Sequence, residues 1–279
     1  MDFYNIFYLI VGLFFGYIAK SLFKREYLSL ERKDLESTKV KELEESKVAC
    51  SNTLENIRIT AHQLGSSLSV IKWTIRMILD GDAGELTIAQ QELLNKSYLS
   101  NERVIKNVDD LLNVSRINEG EPRFNFKKTD FQEIVNIAIN SIENLVAKNH
   151  QECTVEKPEK MPEIYLDKEK MIIVLQNLLS NAIKYTPEYG KIKIIIQVDK
   201  QFLCVKINDQ GVGIPKKEQP KIFSKFFRAT NAIKLETDGS GLGLFIAKNI
   251  IEKHNGKISL TSEEGKGTEV SFSIPISKS

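Results

Sequence analysis

The chain has 279 residues, room for about two domains, and its 42% hydrophobic and 27% charged content supports a buried core and excludes wholesale disorder. Thirty-nine basic and 37 acidic side chains leave a net charge of +2, so no electrostatic attraction marks nucleic acid as a partner. Three widely spaced cysteines (Cys50, Cys153, Cys204) and three histidines (His62, His150, His254) exclude a disulfide framework, a Cys-rich zinc site and a poly-histidine metal centre.

Phe3 to Ala19 reads FYNIFYLIVGLFFGYIA, with Asn5 its one strongly polar side chain. Such a stretch makes about 26 Å of helix against a hydrocarbon core of about 30 Å, and Lys20 can snorkel to extend it. Lys20, Lys24 and Arg25 follow the span and only Asp2 precedes it, which predicts an uncleaved membrane anchor with the bulk of the chain in the cytoplasm. Almost nothing precedes the span, so no sensing domain is expected outside. Residues 24–56, rich in Lys, Glu, Ser and Leu and free of Pro and Gly, predict a charged helix leading away from the membrane.

From Leu54 the pattern sharpens. Leu54, Ile57, Ala61, Leu64, Leu68, Ile71, Ile75 and Ile78 step by three and four, the seam of a helix that packs on partner helices. Asp80-Gly81 and Gly84 end it, and Thr87-Ile88-Ala89-Gln90 is a capping box for a second helix reaching about Glu119. Two such helices form an antiparallel hairpin. Neither can bury its stripe alone, so pairing of two copies into a four-helix bundle is expected.

Residues 120–128, with Glu121-Pro122, read as a linker. Beyond it helices are predicted at 130–148, 168–185 and 243–254. Strands are predicted at Ile192–Val198, Phe202–Ile207, Ile258–Leu260 and Val270–Ile274. The fold class is therefore α followed by α+β: a helical hairpin, then an α/β sandwich of one sheet with helices over one face.

Several motifs carry chemistry. His62 lies one step past seam residue Ala61, on the outer side of the bundle, whereas His150 and His254 read as structural. Asn177 and Asn181 share one helical face, with Lys184 on the same side; neutral amide oxygens suit Mg²⁺ that also keeps water and phosphate ligands. Asp209-Gln-Gly211-Val-Gly213 follows a strand, where a fixed carboxylate can accept from an exocyclic amine. Gly239-Ser-Gly241-Leu242-Gly243 leads into a helix, an arrangement suited to anions, and no Walker A or protein-kinase motif is present. Ile222-Phe-Ser-Lys-Phe-Phe-Arg228 is followed by a polar stretch to Thr237 that reads as a mobile lid. Taken singly, each motif also fits an ordinary polar helix face, a tight turn or a surface histidine.

The order of these motifs resembles the ATP-binding domain of sensor histidine kinases, in the GHKL group shared with gyrase, the chaperones and the MutL repair proteins. Gly265-Lys-Gly267-Thr268 before the last strand fits the same pattern, and Ala61-His62-Gln63-Leu64 resembles the acceptor site of their dimerisation and phosphotransfer domain. The resemblance covers about residues 50–278. It implies a protein-histidine kinase divided as membrane anchor 1–23, helical linker 24–53, phosphotransfer domain 54–119, linker 120–128 and ATP-binding domain 129–279. His62 would take the γ-phosphate of ATP and pass it to an aspartate of a response regulator. Asn177 and Asn181 would hold Mg²⁺, Lys184 and Arg228 would offset phosphate charge, and Asp209 would read adenine. Tyr185, Gly211, Gly213, Phe227, Gly239, Gly241, Leu242 and Gly243 would complete the nucleotide site. The chain would work as a homodimer in the cell membrane.

Two departures stand out. The family's acidic residue after the histidine is Gln63 here, which predicts slower autophosphorylation. Gly65-Ser66-Ser67 replaces the usual Arg-Thr-Pro; Ser66 keeps a hydroxyl one turn beyond His62, which leaves room for a phosphatase activity on the regulator. An ATPase machine would want a glutamate about one turn before Asn181, where Asn177 stands. The remaining alternative is a catalytically silent, nucleotide-binding membrane scaffold.

Overall fold

The computed structural model describes residues 59–118, 124–199, 201–235 and 239–276. The chain divides into two units, Met1–Asn56 and Ile57–Ser279, and the second holds everything described below. The predicted membrane anchor, the charged helix at 24–56 and the start of the seam lie outside the described residues. Among the described residues no helix is long and apolar enough to cross a membrane.

Helix α1 runs over 59–79 and α2 over Ile88–Asn118. The turn between them opens where predicted, with Gly81 at φ 92° and Gly84 at φ 106°, values glycine adopts without strain. The capping box forms reciprocally: the Gln90 amide donates to Thr87 Oγ1 at 3.3 Å, and the Thr87 amide donates to Gln90 Oε1 at 2.9 Å. Ala61 and Val108 are buried between the helices, and Asn101 Nδ2 donates to the Leu68 carbonyl at 2.8 Å. Much of the seam stays accessible within one copy: Leu64 and Ile71 are about half exposed, and Leu68, Ile75 and Ile78 are only half-buried.

The α/β part begins with β1 (Lys127–Asp130), α3 (Phe131–Asn140), α4 (Glu143–Lys148), β2 (Glu152–Glu156) and β3 (Glu163–Leu166). Helix α5 (Lys168–Tyr185), β4 (Lys191–Val198), β5 (Phe202–Asp209), α6 (Thr230–Leu235), α7 (Gly243–Lys253), β6 (Lys257–Glu263) and β7 (Gly267–Pro275) follow. Five strands form the main sheet in the order β2-β4-β5-β7-β6, with β2 parallel to β4 and the other pairs antiparallel. Alternation along the strands turns Ile192, Ile194, Ile196, Leu203, Val205, Ile207, Phe272 and Ile274 inward, where they are buried with α3, α5 and α7 residues. The sandwich and its four longest strands stand as predicted.

Two differences are physical. The helix expected over 130–148 breaks at Ser141-Ile142, where Ser141 Oγ donates to the Ala138 carbonyl and competes with the backbone ladder. A second sheet, β1 paired antiparallel with β3, and the edge strand β2 add to the single four-stranded sheet read from the pattern. These strands are four or five residues long, and β2 carries charges on its exposed face, so no strong alternation announces them.

Candidate nucleotide site

Helix α5 sets one wall of the site. Asp167 caps its N-terminus, accepting from the Lys170 and Asn125 amides at 3.0 and 2.8 Å. His254 secures that cap: its Nε2 accepts from the Asp167 amide at 3.0 Å and its Nδ1 donates to the Ile250 carbonyl at 2.8 Å. Burial lowers its pKa, so the imidazole stays neutral and structural, as its sequence context implied. The apolar residues of α5 face the sheet. Asn177, Asn181, Lys184 and Tyr185 face a cavity of about 690 Å³.

At the floor of this cavity β5 ends in Asp209. Its Oδ1 accepts from the Gly211 and Thr268 amides at 2.9 and 3.1 Å, and Oδ2 has no partner among the described residues. Burial pushes the carboxyl up to about 6, against the pull of those two amides. The loop beyond it is pinned from two sides. The Val212 amide donates to the Tyr185 carbonyl at 3.2 Å, and the Gly265 amide donates to the Val212 carbonyl at 2.9 Å. Gly213 takes φ 64°, and a Cβ there would collide with the Glu263 carbonyl. The glycine is therefore demanded both by dihedral and by space.

The third wall is the turn into α7. Gly241 takes φ 68° and a Cβ there would lie 2.8 Å from the Phe226 carbonyl carbon, so the turn lies directly on the Phe226–Arg228 segment. Arg228 Nη1 donates to the Gly239 carbonyl at 3.4 Å, and Lys184 Nζ lies beside Gly239 as well. Gly243 leaves room for the Asn177 amide, whose oxygen would stand 3.0 Å from a Cβ. Phe227, Gly239, Gly241 and Gly243 all line the cavity.

The fold thus gathers residues from positions 100 to 270 around one cavity. Gly211 shapes the loop without lining the cavity, and Leu242 is buried in the core, 1% exposed. His62, Gln63 and Ser66 are exposed on α1 and do not line it either; Ser66 Oγ donates to the His62 carbonyl at 3.0 Å. The described part of the expected lid, residues 229–235, is tied down. Thr230 bonds Glu218, and Asn231 Nδ2 donates to the Gly213 carbonyl at 2.9 Å.

Sequence reasoning missed Ser240 and Thr268 as site residues, although both sit inside motifs it had singled out. It also missed Ser100, Arg103, Asn107 and Asp110 of α2, which line the cavity from the hairpin side. Their three- and four-residue spacing on a polar face was the available signal, and it does not differ from that of a solvated face.

The amides of Asn177 and Asn181 supply neutral oxygens to the cavity wall, and no cluster of His, Cys, Asp and Glu able to hold a metal occurs among the described residues. That donor set fits Mg²⁺ carried mainly by phosphate and water, and does not require an all-protein cage.

Comparison with known proteins agrees with this geometry. The family described as histidine kinase-, DNA gyrase B-, and HSP90-like ATPase matches residues 166–278. The sensor histidine kinase WalK of Bacillus subtilis (strain 168) is 31% identical over 223 residues, 79% of this chain and 36% of that protein, so the chain spans about a third of this relative's length. In fold, full-length ShkA in complex with AMPPNP superposes with a TM-score of 0.65 at 20% identity, over 81% of this chain and 46% of ShkA. The Acinetobacter baumannii histidine kinase AdeS gives a TM-score of 0.55 at 25% identity, over 78% of this chain and 98% of AdeS. Residues 166–278 thus form a domain of the histidine kinase-, DNA gyrase B- and HSP90-like ATPase family, within a chain homologous to sensor histidine kinases.

Proposed function

We propose that the chain is a membrane-anchored protein-histidine kinase that phosphorylates His62 from Mg-ATP and passes the phosphoryl group to an aspartate of a response regulator. The observation that carries this reading is one cavity lined by Asp209 together with Asn177, Asn181 and Lys184. Oδ1 of Asp209 is held by two backbone amides, which leaves Oδ2 to accept from the exocyclic amine of adenine. Lys184 and Arg228, both beside Gly239, offset charge at the phosphate end. Mg²⁺, when bound, neutralises phosphate charge; Asn177 and Asn181 would hold it.

The acceptor step needs little covalent help. A ring nitrogen of neutral His62 attacks the γ-phosphorus, the N–P bond forms, and the P–O bond to the leaving ADP breaks. The ring proton goes to solvent from an exposed side chain. Gln63 can accept from the second ring nitrogen without adding charge, so the transfer is slow. The homodimer, the anchor at Phe3–Ala19, the cytoplasmic bulk and a phosphatase role for Ser66 belong to the same proposal.

The test is label transfer from γ-labelled ATP with Mg²⁺ to the full chain in membranes, beside His62→Ala. Acid-labile, alkali-stable label on the first alone supports the reading. Label on both moves the acceptor elsewhere. A second reading, the silent nucleotide-binding scaffold, draws on Gln63 and on His62 lying outside the cavity. It is favoured by nucleotide binding without label on either.

A further inference from the structure

Helix α2 forms part of the nucleotide cavity. Ser100, Arg103, Asn107 and Asp110 recur at steps of three and four, so one face of the helix makes a wall. Helix α2 also packs against α7, whose N-terminal turn forms the phosphate end of the same cavity. A polar contact joins the two walls. Ser240 Oγ, in that turn, donates to Asp110 Oδ2 at 2.7 Å.

The contact has a built character. Asp110 is only 7% exposed. Burial pushes its carboxyl above the usual range, while the Ser240 hydroxyl and the Lys106 charge draw it back. Ser240 is occupied on both sides: its hydroxyl donates to Asp110 and accepts from the Leu242 amide at 3.3 Å. Leu242 is the N-cap residue of α7 and is buried in the core. Behind the turn, Gly241 already touches the Phe226 backbone. The turn is therefore bounded by Phe226 on one side and by Asp110 on the other.

We propose that Asp110 is a positioning residue for the nucleotide site: by holding Ser240 it holds the Gly239–Gly243 turn in its phosphate-binding shape, so that nucleotide affinity is coupled to the docking of the hairpin. This rests on the reading of the cavity as the ATP site and deepens it. The coupling is reciprocal, since whatever the docked hairpin adds to nucleotide affinity, bound nucleotide adds to docking. No described residue of α1 lines the cavity, so the docked arrangement loads nucleotide without presenting His62 to it. Loss of the contact then weakens binding without slowing transfer at saturation.

The experiment uses the full chain in nanodiscs and a non-hydrolysable ATP analogue with Mg²⁺, titrated calorimetrically. Asp110→Ala and Ser240→Ala should each weaken binding on the order of tenfold, as expected for one hydrogen bond to a charged group. The double variant should be no weaker than either alone, because both remove the same contact. Asp110→Asn, which keeps an acceptor oxygen, should bind within about threefold of the parent. In autophosphorylation, Asp110→Ala should raise KM and leave kcat undiminished. Parent-like binding by Asp110→Ala, or losses that multiply in the double variant, overturns the proposal. Failure of the parent chain itself to bind the analogue overturns instead the reading of the cavity as an ATP site, and this proposal with it.

Discussion

Asp209 is the residue whose chemistry the site most depends on. Its carboxyl titrates at about 6 because burial outweighs the two amides that hold Oδ1. A raised value means that the folded, nucleotide-free protein binds this proton more tightly than the unfolded chain does. The resulting stabilisation is complete below the ordinary value of 3.8 and is lost as pH rises through about 6. Binding works the other way, since the ionised form is the one that accepts from an amine on Oδ2. Nucleotide affinity should therefore fall as pH drops below 6, by up to about tenfold per unit, when titrated between pH 5 and 7.5. Asp209→Ala should weaken binding about 10- to 100-fold and flatten that profile. Gly213 is equally constrained for a different reason. Gly213→Ala places a methyl group against the Glu263 carbonyl at a positive φ. It should lower unfolding stability by about 2 kcal/mol or more in urea titrations, or displace the loop and abolish binding.

At the scale of elements, α5 matters most because it carries both asparagines and Lys184. Its start is organised by Asp167, and Asp167 is in turn held by His254 from the end of α7. The pKa of His254 is lowered below 6.5 by burial, so its neutral form belongs to the folded state. Its contribution is complete above 6.5 and is lost as pH falls through the depressed value. His254→Gln keeps an acceptor that does not titrate. It should remove part of the acid-side loss in thermal melts between pH 5 and 7. The hairpin has its own weak point: Ser66, Ser67, Ser69 and Thr74 all donate back to carbonyls four residues earlier. Such back-bonding slightly destabilises a helix, and three of the four hydroxyls fall within seven residues of His62.

At the scale of the whole molecule, the described hairpin leaves apolar seam residues uncovered in a single copy. Leu64 and Ile71 stand out from it at 51% and 47% exposure. Apolar patches of this kind mark interfaces, and a second copy offers the matching stripe. Ile71→Glu should convert a dimer to monomers in sedimentation experiments on the full chain. It should leave nucleotide affinity unchanged, because Ile71 lies outside the cavity.

What was legible in the sequence was whatever depends on neighbours along the chain. The seam from Ala61, the capping box at Thr87, the alternation in β4 and β5, and the glycines at 211, 213, 239, 241 and 243 each obey a local rule of periodicity or dihedral freedom. Short β1, β2 and β3 escaped because a strand of four or five residues shows too few alternations to stand out. The break at Ser141 escaped because a single hydroxyl decided it. Assembly of the cavity was a different matter. Asp209 and Gly239, 30 positions apart, line one cavity only because β5 is paired with β7 and α7 packs on α5. Likewise Asp110 and Ser240, 130 positions apart, meet only through the packing of α2 on α7. The sequence by itself determined the elements and the chemical groups they carry, since backbone propensity and side-chain identity are local. Only the tertiary structure decided which groups face one another and how deeply they are buried, because pairing and burial are set by contacts between distant segments.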